Sequence, residues 1–200
     1  VPFVDQAVAV VVGEVAVGET VAVIGCGGVG MAAVNGAYVA GAARVIAIDT
    51  NAARLQLATK LGATDLVNPN DGDPVEQVLE MTKGGVHHAI ECLGKKVTAE
   101  QAFRMLAIGG TATIVGMVPF GEKIELHGAD FLRERRIQGS SMGSNRFRVD
   151  MPRMIELYLQ GRLHLDDWIS NKIQIEQINE GYADMKAGKG LRTVIDFGVV

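Results

Sequence analysis

The sequence contains few cysteines and no excess of basic residues, and each shortage argues against a class of function. Two cysteines, Cys26 and Cys92, are too few for the disulfide framework of a small secreted domain. Nineteen Lys and Arg against 23 Asp and Glu give a net charge of −4, which disfavours nucleic acid or an anionic membrane as a partner. No basic segment precedes an apolar run near the N-terminus, so we expect no secretory leader and a cytoplasmic location.

The sequence also lacks charge over one long run. Residues 20–43 contain no charged side chain, and that length would suffice for a membrane-spanning helix. Four glycines, at positions 25, 27, 28 and 30, interrupt the run, and each glycine within a helix costs about 1 kcal/mol relative to alanine. The run therefore favours a strand, a tight turn and a helix in succession over a membrane span.

Short apolar segments alternate with helical patterns along most of the chain. The apolar segments are rich in Val and Ile with little polar alternation, which is typical of strands buried on both faces of a parallel sheet. Six strands are predicted, at residues 21–25, 44–49, 65–68, 88–92, 111–116 and 137–141. Helices are predicted near residues 29–40, 51–61, 74–83, 97–107 and 128–134. This order predicts an α/β fold with a doubly wound, parallel six-stranded sheet, the Rossmann fold.

The pattern changes after residue 151. A helix near 152–160, a strand at 168–173, a helix near 175–187 and a final strand at 191–197 are predicted. We expect residues 1–162 to form a nucleotide-binding domain and residues 163–200 to form a short α+β tail. Because the tail has too little apolar content to fold alone, it should pack on the first domain or on something outside this chain.

One glycine-rich stretch matches a dinucleotide-binding pattern. Residues 25–30, GCGGVG, fit G-x-G-x-x-G, follow a predicted strand and open a predicted helix. Gly25 permits the tight turn, Gly27 lets the backbone approach a diphosphate, and Gly30 lets the helix pack closely on the strand. Gly28 and Val29 complete a turn whose amides would bind the diphosphate at the positive end of the helix dipole.

An acidic residue at the end of the next strand completes the pattern. Asp49 follows the turn by about 20 residues, and a carboxylate there accepts hydrogen bonds from ribose hydroxyls while repelling a 2′-phosphate. The pattern therefore predicts NAD rather than NADP. Thr50 and Arg54 join the candidate site, and Arg54 suits either a ribose hydroxyl or a phosphate. The structural alternative for Asp49 is simple capping of the helix that begins near Asn51.

Two stretches resemble one enzyme family. Residues 17–68, VGETVAVIGCGGVGMAAVNGAYVAGAARVIAIDTNAARLQLATKLGATDLVN, resemble the cofactor-binding domain of the medium-chain, zinc-dependent alcohol dehydrogenases, especially the class III, formaldehyde dehydrogenase-like type. Residues 178–197, INEGYADMKAGKGLRTVIDF, resemble the family's C-terminal segment, which completes the catalytic domain. The resemblance implies an oxidoreductase that transfers hydride between a primary alcohol, or a thiol–aldehyde adduct, and NAD.

The resemblance also implies further contacts with NAD. Arg192 matches the arginine that reaches the diphosphate in the family. The positions that match residues beside the adenine and nicotinamide rings are Cys92, Leu93, Val115, Gly116 and Met117. Three of them, Leu93, Val115 and Met117, are apolar residues at strand ends, where core packing is the alternative role.

The chain departs from the family in its zinc ligands. In the family, a catalytic domain precedes the glycine turn and supplies a zinc site, and zinc needs three protein ligands to activate an alcohol. The last of these ligands aligns just before Val1, and the opening VPFVDQA does not match the pattern expected there. We therefore expect no catalytic and no metal-ligating residue in this chain, with zinc confined to a catalytic domain outside it.

Other interpretations stay open. A zinc-independent quinone or enone reductase of the same superfamily would commonly use NADPH, a non-catalytic nucleotide-binding module would need no partner domain, and a methyltransferase shares the glycine-rich turn. In the family, dimers form through the last strand of the sheet, here near Ile137 together with residues 123–126 (KIEL), so a homodimer is expected. Cys26 and Cys92 should end neighbouring strands, as free thiols or as a redox-sensitive pair.

Overall fold

The computed structural model describes residues 14–198, so the opening VPFVDQA stretch lies outside the described residues. Six parallel strands form one sheet in the order β3-β2-β1-β4-β5-β6. Their bounds are β1 Thr20–Ile24, β2 Arg44–Ile48, β3 Asp65–Val67, β4 Val86–Glu91, β5 Leu106–Ile114 and β6 Arg136–Gly139. The chain reverses its direction across the sheet between β1 and β4, and ligands bind beyond the carboxyl ends of the strands at such a point. The predicted fold class is confirmed.

Six α-helices accompany the strands in the described part of the chain. They are α1 Gly28–Ala40, α2 Ala52–Lys60, α3 Pro74–Thr82, α4 Lys96–Arg104, α5 Phe147–Leu159 and α6 Ile178–Lys186. The helix predicted at 128–134 is a 3₁₀-helix over Gly128–Arg133. The helix predicted near 152–160 begins five residues earlier, because Pro152 lies inside α5 instead of at its start.

The residues of β1 alternate between two cores, one on each face of the sheet. Val21 and Val23 belong to the first core, and Ala22 and Ile24 to the second. All four are buried, which accounts for the absence of polar alternation in this strand. The first core also contains five buried residues of α1, a helix of 13 residues. The charge-free run is therefore a buried strand, a turn and a helix, and no helix in residues 14–198 is both long and apolar enough to cross a membrane.

The tail packs against the first domain, as expected. Strands β7 (Ile169–Ile173) and β8 (Arg192–Ile195) pair in parallel and are connected through α6. Leu163, Leu165 and Trp168, which precede β7, are buried in the first core. Asn35 of α1 is fully buried and accepts a hydrogen bond from the His164 backbone N–H at 2.9 Å. The predicted boundary at residue 162 stays a prediction.

Strand β6 forms one edge of the sheet, beside β5 alone. Residues 123–126, which were expected to add to this edge, form no strand. They cross over α4 instead, because the Glu125 backbone N–H donates to Glu100 and the Glu125 carboxylate accepts from Lys96 at 2.7 Å. Leu126 packs on the second core. Within the single chain, residues 123–126 are therefore not part of the sheet edge, whereas Ile137 does lie in the edge strand. Their part in a dimer stays a prediction.

Candidate functional site

The glycine-rich turn connects the end of β1 to the start of α1. Gly25 has φ +91°, in the left-handed region that favours glycine, and its N–H donates to the Ile48 carbonyl at 2.8 Å. A Cβ on Gly25 would lie 2.5 Å from Cγ of Leu93, so Leu93 closes over this residue. The N-cap of α1 is Gly27, which has no side chain to cap the first amides of the helix. The turn therefore ends in amides suited to an anion.

The glycines of the turn meet different surroundings. A Cβ on Gly30 would lie 1.7 Å from the Gly25 carbonyl oxygen, so the close packing of α1 on the turn requires glycine there. A Cβ on Gly27 would have no described atom within 4 Å. Chain packing therefore explains Gly30 but does not explain Gly27. An open position for Gly27 is what the close approach of a ligand to the backbone requires.

Asp49 connects this turn to the start of α2. Its carboxylate is 7% exposed and accepts hydrogen bonds from the backbone N–H groups of Cys26 and Asn51, both at 2.8 Å. The alternative that Asp49 is the helix cap is wrong, because Asn51 is the N-cap and accepts from the N–H groups of Ala53 and Arg54. An ionised carboxylate has about four acceptor sites. Asp49 therefore retains capacity for ribose hydroxyls.

Two arginines extend the site toward the tail. Arg54 Nη1 lies 3.9 Å from Asp49 Oδ2, and Arg54 Nη2 donates to the Gly188 carbonyl at 3.5 Å. Arg192 Nη2 lies 3.9 Å from the place of a Cβ on Gly28. The two guanidinium groups therefore approach the turn from the first domain and from the tail.

A groove of about 380 Å³ lies between the turn and the tail. It is lined by Gly27, Gly28, Arg54, Ile173, Ile178, Gly181, Tyr182, Met185, Lys189, Gly190, Leu191, Arg192, Thr193 and Ile195. Among these described residues there are three basic side chains and no acidic one. Two of these cations have carboxylates beside them outside the lining, since Lys189 lies 2.9 Å from Asp184 and Arg54 lies 3.9 Å from Asp49. Basic side chains beside helix amides without a side-chain cap suit a phosphate-bearing ligand.

The other predicted residues lie at the same carboxyl edge of the sheet but do not line the groove. The loops after β4 and β5 touch each other, since a Cβ on Gly116 would lie 2.0 Å from the Gly94 nitrogen. Cys92 and Val115 are half-buried. Thr50, Val29 and Met117 are exposed, Met117 by 91%.

The sequence analysis missed Glu91, the last residue of β4. Its carboxylate is fully buried and accepts hydrogen bonds from the N–H groups of Leu93 and Gly94, both at 2.9 Å, and from the Thr98 hydroxyl at 2.7 Å. Glu91 therefore fixes the loop that holds Leu93 against Gly25. The sequence signal for Glu91 is an acidic residue at the end of a strand, directly before Cys92. The hydrogen bonds that define its role are visible only in the structure.

Cys26 and Cys92 lie just past the ends of the neighbouring strands β1 and β4, as predicted, and they are not joined in a disulfide. Cys26 is fully buried, and its thiol donates to the Ile48 carbonyl at 3.8 Å. Burial, assisted by the Asp49 carboxylate, raises the pKa of the Cys26 thiol to about 12. The reactive thiolate of Cys26 is therefore suppressed near neutral pH. A redox role for the two thiols stays a prediction.

Cys26 should resist alkylation while the chain is folded. At pH 8 a thiol with a pKa of about 12 is ionised to only about one part in ten thousand, and its sulfur is also shielded from reagent. We expect iodoacetamide to leave Cys26 unmodified in the native chain and to modify it fully in 6 M guanidinium, as measured by peptide mass spectrometry. Labelling of Cys26 at equal rates in both conditions would contradict the buried placement.

Comparison with known proteins gives one consistent family. The zinc-binding dehydrogenase model matches residues 28–160. Alcohol dehydrogenase 1 of Oryza sativa subsp. indica is 41% identical over 181 residues, which cover 89% of this chain and 48% of that protein. S-(hydroxymethyl)glutathione dehydrogenase of Photobacterium damsela subsp. piscicida is 39% identical over 183 residues, which cover 90% of this chain and 50% of that protein. The chain thus spans about half the length of these relatives.

Solved structures agree with the fold. Benzyl alcohol dehydrogenase from Acinetobacter calcoaceticus superposes with a TM-score of 0.94 at 29% identity, over 98% of this chain and 55% of that one. A zinc-binding dehydrogenase from Sinorhizobium meliloti 1021, solved bound to NADP, superposes with a TM-score of 0.81 at 33% identity, over 89% of this chain and 53% of that one.

Proposed function

The chain belongs to the zinc-binding dehydrogenase family, and we propose that it is the NAD-binding part of an alcohol dehydrogenase-type oxidoreductase. The observation that carries the proposal is the open position of Gly27, at the mouth of a helix whose first amides lack a side-chain cap. Arg192 from the tail approaches the same turn. Packing of the chain does not require glycine at position 27, whereas the close approach of a diphosphate to the backbone would require it.

Each part of the site has a separate task in this proposal. The amides of residues 28–30 and the Arg192 guanidinium bind the diphosphate, and Asp49 accepts hydrogen bonds from the adenosine ribose. The loops after β4 and β5, with Cys92, Leu93, Val115, Gly116 and Met117, border the two rings of the cofactor. NAD, when bound, supplies the hydride acceptor, and the chain holds it in a fixed orientation at the edge of the sheet.

The residues described here do not fit a zinc site. Within residues 14–198, no group of three or more His, Cys, Asp or Glu side chains is arranged to bind a metal, whereas a catalytic zinc takes three protein ligands. In the whole protein we propose that hydride passes between NAD and a primary alcohol or a thiol–aldehyde adduct, with zinc supplied by residues outside this chain.

NAD is proposed over NADP because Asp49 is nearly buried beside the turn. A 2′-phosphate on the adenosine ribose would face the Asp49 carboxylate, which already accepts hydrogen bonds from two backbone N–H groups. Arg54 opposes this effect in part, since its guanidinium lies 3.9 Å from the same carboxylate. The NADP-bound relative from Sinorhizobium meliloti keeps the second candidate, a zinc-independent reductase that uses NADPH, open to test.

Calorimetric titration of the 200-residue chain with NADH and with NADPH tests this proposal. We expect saturable NADH binding, weaker NADPH binding, and no NADH formation from ethanol and NAD by the chain alone. Tighter binding of NADPH would favour the reductase. A lack of binding to either cofactor at millimolar concentrations would refute the nucleotide-binding role.

We also propose a homodimer through the edge strand β6, and a cytoplasmic location. An unpaired strand edge invites pairing with a second copy, and two cysteines that are not joined in a disulfide suit a reducing compartment. Sedimentation velocity of the chain and of an Ile137→Pro variant, in which the substitution removes an edge N–H, tests the dimer. We expect only the unmodified chain to dimerise, and two monomeric samples would contradict the proposal.

A further inference from the structure

We propose that Trp168 is a positioning residue for the bound diphosphate, because its ring holds the Arg192 guanidinium over the glycine turn. The inference rests on the proposed function and extends it to a residue outside the groove lining. Trp168 is the sole tryptophan of the chain and is 1% exposed. It ends the short 3₁₀-helix Asp166–Trp168, directly before β7.

Arg192 lies close to both Trp168 and the glycine turn. Its guanidinium carbon lies 5.6 Å from the centroid of the Trp168 ring, within the range of a cation–π contact. Its Nη2 atom lies 3.9 Å from the place of a Cβ on Gly28. The guanidinium therefore lies close both to the ring and to the turn that would bind the diphosphate.

The pairing of β7 with β8 brings the two residues near each other. Ile169 of β7 pairs with Arg192 of β8, which places the preceding residue, Trp168, next to the arginine. Trp168 is itself anchored in the first core with Met154, Leu163 and Leu165. The core of the domain thus supports the ring, and the ring supports the cation.

The choice of tryptophan at a buried position needs an explanation beyond packing. Its indole Nε1 is buried and has no hydrogen-bond partner among the described residues. A buried unpaired N–H is unfavourable, and phenylalanine or leucine would avoid it. What tryptophan adds is the ring face with the strongest attraction for a cation. Among residues 14–198, the contact with Arg192 is the cation–π interaction that uses this property.

Holding Arg192 in place should strengthen binding of the diphosphate. An arginine side chain that is already ordered loses less conformational freedom when it binds an anion. The ring contributes to this order through its contact with the guanidinium. A cation–π contact of ordinary strength corresponds to about a fivefold change in affinity.

ADP-ribose is the probe for this inference, because it carries the diphosphate without the nicotinamide ring. We expect Trp168→Leu to weaken its binding about fivefold, and Trp168→Phe, which retains an aromatic face, to restore most of the loss. In an Arg192→Ala background, Trp168→Leu should have no further effect. Phe103→Leu is the matched control, since Phe103 is equally buried at 1% but lies in the other core, and it should leave the affinity unchanged.

The fluorescence of the single tryptophan gives a second readout that needs no core substitution. Saturating ADP-ribose should change the emission of the unmodified chain and leave that of Arg192→Ala unchanged. An equal affinity loss for Trp168→Leu with and without Arg192, or an emission that ADP-ribose does not alter, would overturn the inference. Failure of the unmodified chain to bind ADP-ribose would instead refute the proposed function.

Discussion

Replacement of Gly30 by alanine is expected to weaken NADH binding strongly and to destabilise the fold. The new Cβ would lie 1.7 Å from the carbonyl oxygen of Gly25 and 2.8 Å from its carbonyl carbon. Both are backbone atoms, so either α1 or the turn must move, at a cost of about 3 kcal/mol. In a domain of this size that cost lowers the melting temperature by about 6–12 °C. Thermal unfolding and NADH titration measure the two effects, and we expect NADH affinity to fall at least about 100-fold.

Gly27→Ala is the matched control for this prediction. A Cβ on Gly27 would meet no described atom within 4 Å, so the melting temperature should stay within about 2 °C of the original. NADH affinity should nevertheless fall about tenfold, because the methyl group stands where the diphosphate approaches. If Gly27→Ala bound NADH as tightly as the unmodified chain, the diphosphate would not lie on this turn.

Asp49→Asn is expected to have the second largest effect. The Asp49 carboxylate accepts hydrogen bonds from the backbone N–H groups of Cys26 and Asn51, both at 2.8 Å. In the variant, the side-chain NH₂ group would replace one of the two accepting oxygens. Two donors would then face each other near the turn, at a cost of about 1–3 kcal/mol in stability. The ribose hydroxyls would also lose an ionised acceptor, so NADH affinity should fall by about 10- to 100-fold.

The same substitution should alter cofactor preference. Removing the charge removes the repulsion of a 2′-phosphate, so the ratio of the NADPH and NADH dissociation constants should fall about tenfold. Asp65→Asn is the control, because Asp65 pairs with Arg44 at 2.8 Å in the neighbouring strand, outside the groove. It should leave both constants unchanged. An unaltered ratio in Asp49→Asn would remove Asp49 as the determinant of cofactor choice.

The sheet was predictable because its signals are local. Val21–Gly25 and the segments like it contain apolar residues on both faces, and that pattern is decided by burial within each strand. The start of β5 was missed, since Leu106 begins the strand five residues before the predicted start at Thr111. Gly109, with φ +77°, and Gly110 interrupt the apolar pattern there, and the pairing with β4 shifts register in the same region.

Some residues of the site could be predicted from local sequence patterns, and others could not. Glycine spacing and a strand-end acid are local signals, and the structure brings Asp49 to the turn through the Cys26 N–H, as the spacing requires. Arg192 was placed by family resemblance, because about 160 residues of chain separate it from Gly28 and no local pattern connects them. Glu91 and Trp168 act through contacts made only when loops and core assemble, so their roles could not be inferred from spacing.

A crystal structure of the chain grown with NAD tests the central claim most directly. We predict that the diphosphate oxygens lie about 2.7–3.2 Å from the amide nitrogens of residues 28–30 and from the Arg192 guanidinium, with the adenosine ribose hydroxyls on Asp49. A dinucleotide bound elsewhere, with the glycine turn left free, would contradict the account.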